Sequence, residues 1–405
     1  MIDESCVHCG LCLSSCPTYL VTGLETESPR GRVWLLSQHS SGVDIGHTGL
    51  KHLDDCLDCR ACEEVCPAHI PVGHMVNQFR IASSTGVARS MVKPLRYFFA
   101  TRRGRRRFKR LLNWSRYRVV KRTMSWFPGW IPPDALALAS GLPQQTVETA
   151  RPVMDPVKEG RVVMLFKGCV MDTVYGKTNQ NAHDLLHIAG ARVVKPELQT
   201  CCGALLYHSG DTEILRDLVL ENLAAFEESG SEDVAVTAGG CSAFMKEYRH
   251  LFSPEDPIYD RVVRFAEAVK DVSDVLVQLG LPLLPSNGQR ISMHDACHLA
   301  HAQGIRQSPR TLLRGAGYDL VEMPDSDRCC GAAGTYNLTH PEISRTLLGY
   351  KISDIPQDID AVALGNPGCQ LQIAAGLNKQ GRRVPVRHTV DLLWDAYQGV
   401  NDGRG

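Results

Sequence analysis

Apolar and polar positions follow different periods along the chain, and the character changes after residue 156. Beyond that point, the short β-rich runs 161–166 (RVVMLF), 191–194 (ARVV) and 233–237 (DVAVT) alternate with segments of helical period. Residues 212–229 place Leu215, Leu218, Val219, Leu223 and Phe226 on one face, and Gly230 supplies a stop signal. Strands alternating with amphipathic helices predict parallel α/β units. Ahead of them, Pro128, Pro132, Pro133, Pro143, Pro152 and Pro156 mark a linker. Nearer the start, the stretch between Pro17 and Cys56 leaves room for helices around residues 30–52. No run reaches the roughly 18 uninterrupted apolar residues of a spanning helix.

Cysteine spacing adds a second layer. The chain of 405 residues holds 16 cysteines, and subtraction arranges all of them in two repeats, each with a constant offset. In the first, Cys6, Cys9, Cys12 and Cys16 recur as Cys56, Cys59, Cys62 and Cys66. In the second, Cys169, Cys201, Cys202 and Cys241 recur as Cys297, Cys329, Cys330 and Cys369, with Pro196 and Gly203 matched by Pro324 and Gly331. Such correspondence predicts duplication of a whole domain. The expected fold is α+β and α/β: a helical, ferredoxin-like two-cluster domain (1–90), a basic helical linker (91–156), and two duplicated α/β domains with parallel sheets (157–286 and 287–405).

Each N-terminal block reads C-x2-C-x2-C-x3-C-P, the spacing that binds [4Fe-4S] clusters. Three thiolates two residues apart wrap one cluster, while the fourth cysteine, carried onto the following helix, reaches the neighbouring cluster. Cluster one is therefore expected on Cys6, Cys9, Cys12 and Cys66, and cluster two on Cys56, Cys59, Cys62 and Cys16. Structural zinc also uses C-x2-C pairs, but a third cysteine at the same spacing followed by Cys-Pro is not its pattern. In the second repeat the cysteines follow predicted strands, where parallel sheets collect ligands. The quartets Cys169, Cys201, Cys202, Cys241 and Cys297, Cys329, Cys330, Cys369 are each expected to hold a further iron-sulfur centre or a zinc ion.

Two ferredoxin motifs followed by two cysteine-rich CCG domains make the chain resemble the iron-sulfur subunit of glycolate oxidase over nearly its whole length. His294-Asp-Ala-Cys-His-Leu-Ala-His301 and Gly239-Gly-Cys-Ser-Ala-Phe244 carry the likeness to that branch. Iron-sulfur subunits of glycerol-3-phosphate and D-lactate dehydrogenases, and the CCG subunit of heterodisulfide reductase, share the architecture. Heterodisulfide reductase adds a fifth cysteine where this chain has Phe244 and Gln372, so disulfide-reducing chemistry is not carried over. The resemblance implies an electron-transfer subunit of a flavin-dependent 2-hydroxy-acid dehydrogenase, passing electrons to a quinone or other acceptor. D-lactate and glycerol-3-phosphate are the alternative substrates, and a zinc-bearing CCG scaffold the alternative class.

No G-x-G-x-x-G fingerprint or P-loop occurs, which puts the FAD on a partner subunit. Asp295, His298 and His301 around Cys297 are candidates for a proton relay to a quinone, or for orienting the cysteines; the first copy has Lys167 in place of Asp295. The formal net charge is zero, yet Val65 to Pro133 carries 15 Lys and Arg and no acidic residue. Phe98, Phe99, Trp114, Tyr117, Trp126, Phe127 and Trp130 are interspersed in that stretch. With no nucleic-acid module present, it suits peripheral contact with an anionic membrane face, an acidic partner, or plain solvation. Met1-Ile2-Asp3-Glu4 has no signal-peptide character. The expected setting is cytoplasmic with reduced thiols, including the cytoplasmic face of the inner membrane.

Overall fold

A computed structural model of the chain describes residues 6–83, 101, 103–107, 110, 140–143, 160–282, 284–285 and 288–401. Most of the basic segment lies outside the described residues, among them Arg102 and the seven aromatic residues named above, as does most of the proline-rich linker.

The head is helical. Helices Pro17–Thr22, Pro29–Ser40, Gly46–Asp54 and Val72–Ser83 enclose a core of Val33, Leu36, Leu53, Ile70, Val76 and Phe79. Ser28 starts the second helix by accepting a hydrogen bond from the Gly31 N–H, with Pro29 at the first helical position. The two cysteine loops have matching backbones. His8 (φ 54°) and Gly10 (φ 86°) correspond, in the second loop, to Asp58 (φ 51°) and Arg60 (φ 66°). Cys16 sits immediately before the helix Pro17–Thr22, as the motif predicts. Cys66 differs: it is followed by a turn, and helix resumes only at Val72. Positive φ at His69 and the extended bias that Pro71 places on Ile70 delay it.

The remainder contains two four-stranded parallel sheets. In the first the order is β2-β1-β3-β4, with β1 Val162–Phe166, β2 Arg192–Val194, β3 Asp233–Val236 and β4 Val269–Asp271. In the second it is β6-β5-β7-β8, with β5 Arg290–Met293, β6 Asp319–Leu320, β7 Ala361–Leu364 and β8 Val386–His388. β3 and β7 are buried along their whole length, the apolar run expected of a strand covered on both faces.

Side-chain alternation decides which core each strand feeds. Val163, Leu165 and Ala235 of the first sheet meet Ile291, Met293, Ala361 and Ala363 of the second in one shared core. Helix Gly176–Ile188 packs against Thr389–Asn401 there, so the two copies are joined by apolar burial. The opposite faces fill separate cores: Met164, Phe166, Val234 and Val236 in one copy, Val362 and Leu364 in the other.

The offset between the two cysteine quartets carries β3 onto β7 without shift. It does not carry β4 onto β8, which lie closer together in sequence than β3 and β7 do. The first copy spends the extra residues on a 3-10 turn, Tyr248–Leu251, and the helix Tyr259–Ala268 ahead of β4.

Candidate metal centres

In both α/β units the cysteines gather beyond the carboxyl ends of the strands, where the connecting loops converge. Cys169 follows β1, Cys201 and Cys202 follow β2, and Cys241 lies on the helix Gly239–Lys246 after β3. Sγ atoms of Cys169 and Cys201 are 3.4 Å apart, those of Cys202 and Cys241 3.0 Å, and the Gly203 N–H points at Cys201 Sγ from 3.4 Å. Gly203 and its twin Gly331 have φ of +87° and +82°. A Cβ would come within 2.4 Å of Leu215 Cδ1 at the first and 2.7 Å of the Ser344 carbonyl at the second. Only glycine lets the chain turn this tightly behind adjacent cysteines.

Three of these thiols shift one another's ionisation. Hydrogen bonds with Cys169 and Cys202 draw the Cys201 thiol well below its ordinary value, while Cys169 and Cys202 are pushed up in return. In the second unit, Cys297 is raised by its bond to Cys329 and Cys330 by its bond to Cys369. Each quartet thus gathers four thiols, the donor set a soft metal centre requires.

In the head, Cys16 lines one small cavity together with Cys56, Cys59 and Cys62, along with Arg32 and Arg60. This is the grouping in which the fourth cysteine of one motif joins three of the other. Burial raises the thiols of Cys56, Cys59 and Cys62, and the Asp58 N–H lies 3.4 Å from Cys56 Sγ. Four thiols around a cavity, Cys16 and Cys59 buried and Cys56 and Cys62 partly so, with cations beside it, fit an anionic iron-sulfur cluster. Cys6 and Cys66 pack against the same core, and Cys12 lies near Cys6 and Cys16.

The head is seated against both copies through the second cysteine loop. Asp58 is the hub: its carboxylate is 2.6 Å from Arg60 Nε and 2.8 Å from His208 Nδ1, and accepts from Asn77 Nδ2 at 2.8 Å. Burial pushes that carboxyl up, but Arg60 and His208 overcome it and hold it well below the usual range. The duplication maps Tyr336 onto His208, and Tyr336 also reaches the head, its hydroxyl donating to the Asp55 carbonyl at 2.8 Å. Cys59 itself packs with Cys329, Tyr336 and Leu347 in one buried cluster, with Cys297 against it. One head site therefore abuts the second quartet.

Asp295, His298 and His301 are tied to other groups. Asp295 is buried and forms a bidentate pair with Arg310 (2.7 and 2.8 Å), further bonded by Ser326 Oγ. His298 Nε2 donates to the Asp58 carbonyl at 2.7 Å, and burial pushes its pKa down to about 4. His301 Nδ1 meets Glu64 of the head, which Arg306 also contacts at 2.8 Å. Among the described residues no hydrogen bond joins these three side chains to one another; the two histidines fasten the head to the second unit. Sequence reasoning missed Asp58, His208 and Tyr336 as docking residues. The duplication pairs the last two but carries no sign that both reach the head.

Two short cysteine-rich α/β units and a two-motif helical head define an iron-sulfur protein of the dicluster type. Family models agree: a 4Fe-4S dicluster domain matches residues 3–70 and a cysteine-rich domain matches 163–246 and 291–374. The chain is 34% identical to the probable glycolate oxidase iron-sulfur subunit of Bacillus subtilis (strain 168), over 97% of this chain and 93% of that relative. To the glycolate oxidase iron-sulfur subunit of Escherichia coli (strain K12) it is 30% identical, covering 98% and 95%. Lactate utilization protein A of Oceanobacillus iheyensis is 30% identical over 57% of this chain and 96% of its own length. The chain belongs to the family of glycolate oxidase iron-sulfur subunits. Among the described residues, no helix is long and apolar enough to cross a membrane.

Proposed function

We propose that the chain carries electrons from a flavoprotein that oxidises a 2-hydroxy acid, glycolate to glyoxylate, toward a quinone or another acceptor. The observation that carries this reading is the packing of Cys59 against Cys329, which joins the helical head to a second set of thiols without an intervening layer. Iron-sulfur clusters, once bound, accept and return electrons singly. Cys6, Cys9, Cys12 and Cys66 would hold one, and Cys56, Cys59, Cys62 and Cys16 the other; each CCG quartet would hold a further iron-sulfur centre. The protein's own part is to bury the thiols, screen them with Arg32 and Arg60, and fix the spacing of the centres through Asp58, His208, His298 and Tyr336. Functional units would run over 1–90, 91–156, 157–286 and 287–405, with FAD on the partner subunit. The basic stretch offers a docking face for an acidic partner or an anionic membrane surface at the cytoplasmic side.

The test uses the purified complex under anaerobic conditions. Adding glycolate should bleach the visible absorbance of this subunit, with D-lactate and glycerol-3-phosphate much slower. Bleaching by D-lactate with none by glycolate would overturn the substrate assignment. One observation favours a second reading, zinc in the CCG quartets: four cysteines gather in each, the donor number and type of a structural zinc site. Metal analysis separates the two.

A further inference from the structure

The second quartet has a neighbour that the first lacks. A ring nitrogen of His294 and the Sγ atoms of Cys330 and Cys369 all lie within 4.8 Å of one another, and all three residues are buried. By the offset that pairs Cys297 with Cys169, His294 corresponds to Phe166, an apolar side chain in the core of the first unit. Duplication therefore left one quartet walled by a phenyl ring and the other by an imidazole.

The hydrogen bonding fixes what that imidazole offers. Nδ1 lies 3.0 Å from the Ser326 carbonyl, an acceptor only, so Nδ1 carries the proton. Nε2 is left with a lone pair, is fully buried, has no nitrogen or oxygen partner and lies against Cys330 of the quartet. A histidine whose one nitrogen donates to a backbone carbonyl while the other faces thiols is arranged as metal-binding histidines are. His294 also follows directly on β5, the edge from which Cys297 comes.

We infer that His294 supplies a nitrogen ligand to the metal centre of the second quartet, making its donor set four sulfurs and one imidazole. This rests on the reading of that quartet as an iron-sulfur site. The two CCG centres then differ in kind. The second quartet has a fifth, neutral donor where the first has a phenyl ring. It is also the one that the head abuts through Cys59.

The test is pulsed EPR on the reduced, full-length subunit in its complex, prepared with histidine of natural abundance and with 15N-histidine. Iron and sulfide are counted on the same samples. We expect a histidine-nitrogen coupling that changes with the label and disappears in His294→Asn and His294→Phe. His294→Asn keeps a donor for the Ser326 carbonyl, and His294→Phe restores the residue of the twin. The labelling comparison needs no variant, so a misfolded substitution leaves the result intact. Full iron loading with no histidine-nitrogen coupling, or coupling that persists in His294→Asn, overturns the inference alone. A count that Cys297→Ser does not lower shows no iron at the second quartet, and overturns both the reading of that quartet and this inference.

Discussion

Removing the charge of Asp58 should loosen the head from both cysteine-rich units. The carboxylate is only 4% exposed and faces Arg60, His208 and Asn77 within 2.8 Å. Breaking a buried ion pair by deleting one partner costs about 3–5 kcal/mol. Arg60 retains Glu63 and Glu247, each at 3.2 Å, so the lower end applies. In Asp58→Asn the new NH2 also faces donors, which keeps the cost at about 3 kcal/mol. With a urea m-value of about 3 kcal/mol/M for a large cooperative unit, the midpoint falls by about 1 M. The assay is urea unfolding of the loaded subunit, followed by visible absorbance for the metal centres and by far-ultraviolet circular dichroism. Midpoints are compared because a multidomain chain has no single unfolding free energy. Arg261→Ala, which breaks an exposed pair with Glu227, is the control and should cost under about 1 kcal/mol. Because the Asp58 pKa is lowered on folding, its contribution is intact at neutral pH and is lost only as pH falls through that depressed value. If Asp58→Asn shifts the midpoint no more than Arg261→Ala does, the argument for a charged hub fails.

Cys16→Ser should remove iron from the site shared with Cys56, Cys59 and Cys62 while sparing that of Cys6, Cys9 and Cys12, whereas Cys66→Ser should do the reverse; loss from its own motif's site would refute the exchange. Asp271 is buried, caps the helix Val272–Leu279, and has its pKa pushed from 3.8 to about 6 by burial. Its neutral form is favoured in the fold, so stability is full below the unfolded pKa and is lost as pH rises through about 6, by roughly 3 kcal/mol. Asp271→Asn, an equally good cap, should therefore raise the urea midpoint near pH 7 and leave it unchanged near pH 4; equal effects at both would contradict the sign. Arg310→Ala strands the buried Asp295 carboxylate and should destabilise by about 3–5 kcal/mol. If Asp295 orients and does not relay protons, Asp295→Asn shifts stability and leaves the pH profile of acceptor reduction in place, as rapid-mixing kinetics would show.

Much of this architecture is written in spacing. The repeat in the head sets two loops with the same left-handed positions, and the repeat in the α/β units places β5 and β7 where β1 and β3 predict them. Burial of β7 and of residues 234–236 in β3 follows from their apolar runs, while Asp233 at the start of β3 is buried against Arg161 and Lys270. The contact of Cys59 with Cys329 was not legible, because it joins residues far apart in sequence through the packing of Leu57, Tyr336 and Leu347. Asp58 was hidden for the same reason: an aspartate in a cysteine loop looks solvated until His208 and Asn77 arrive from other elements. The late β4 reflects residues inserted in one copy only, which a repeat defined by cysteines does not register. His298 shows the converse case, a residue whose sequence neighbourhood left two roles open. Its place beside Cys297 suggested either proton traffic or a role in orienting the cysteines; burial pushes its pKa down to about 4, and its ring nitrogen is taken up by the Asp58 carbonyl.

All of this presumes that sixteen thiols form four metal-holding groups, and an anaerobic count of iron, labile sulfide and zinc on the purified subunit tests that most directly. Four [4Fe-4S] clusters require about sixteen irons with matching sulfide. About eight irons with two zinc ions would contradict the account of the CCG quartets, and a colourless protein with no labile sulfide would contradict the whole of it.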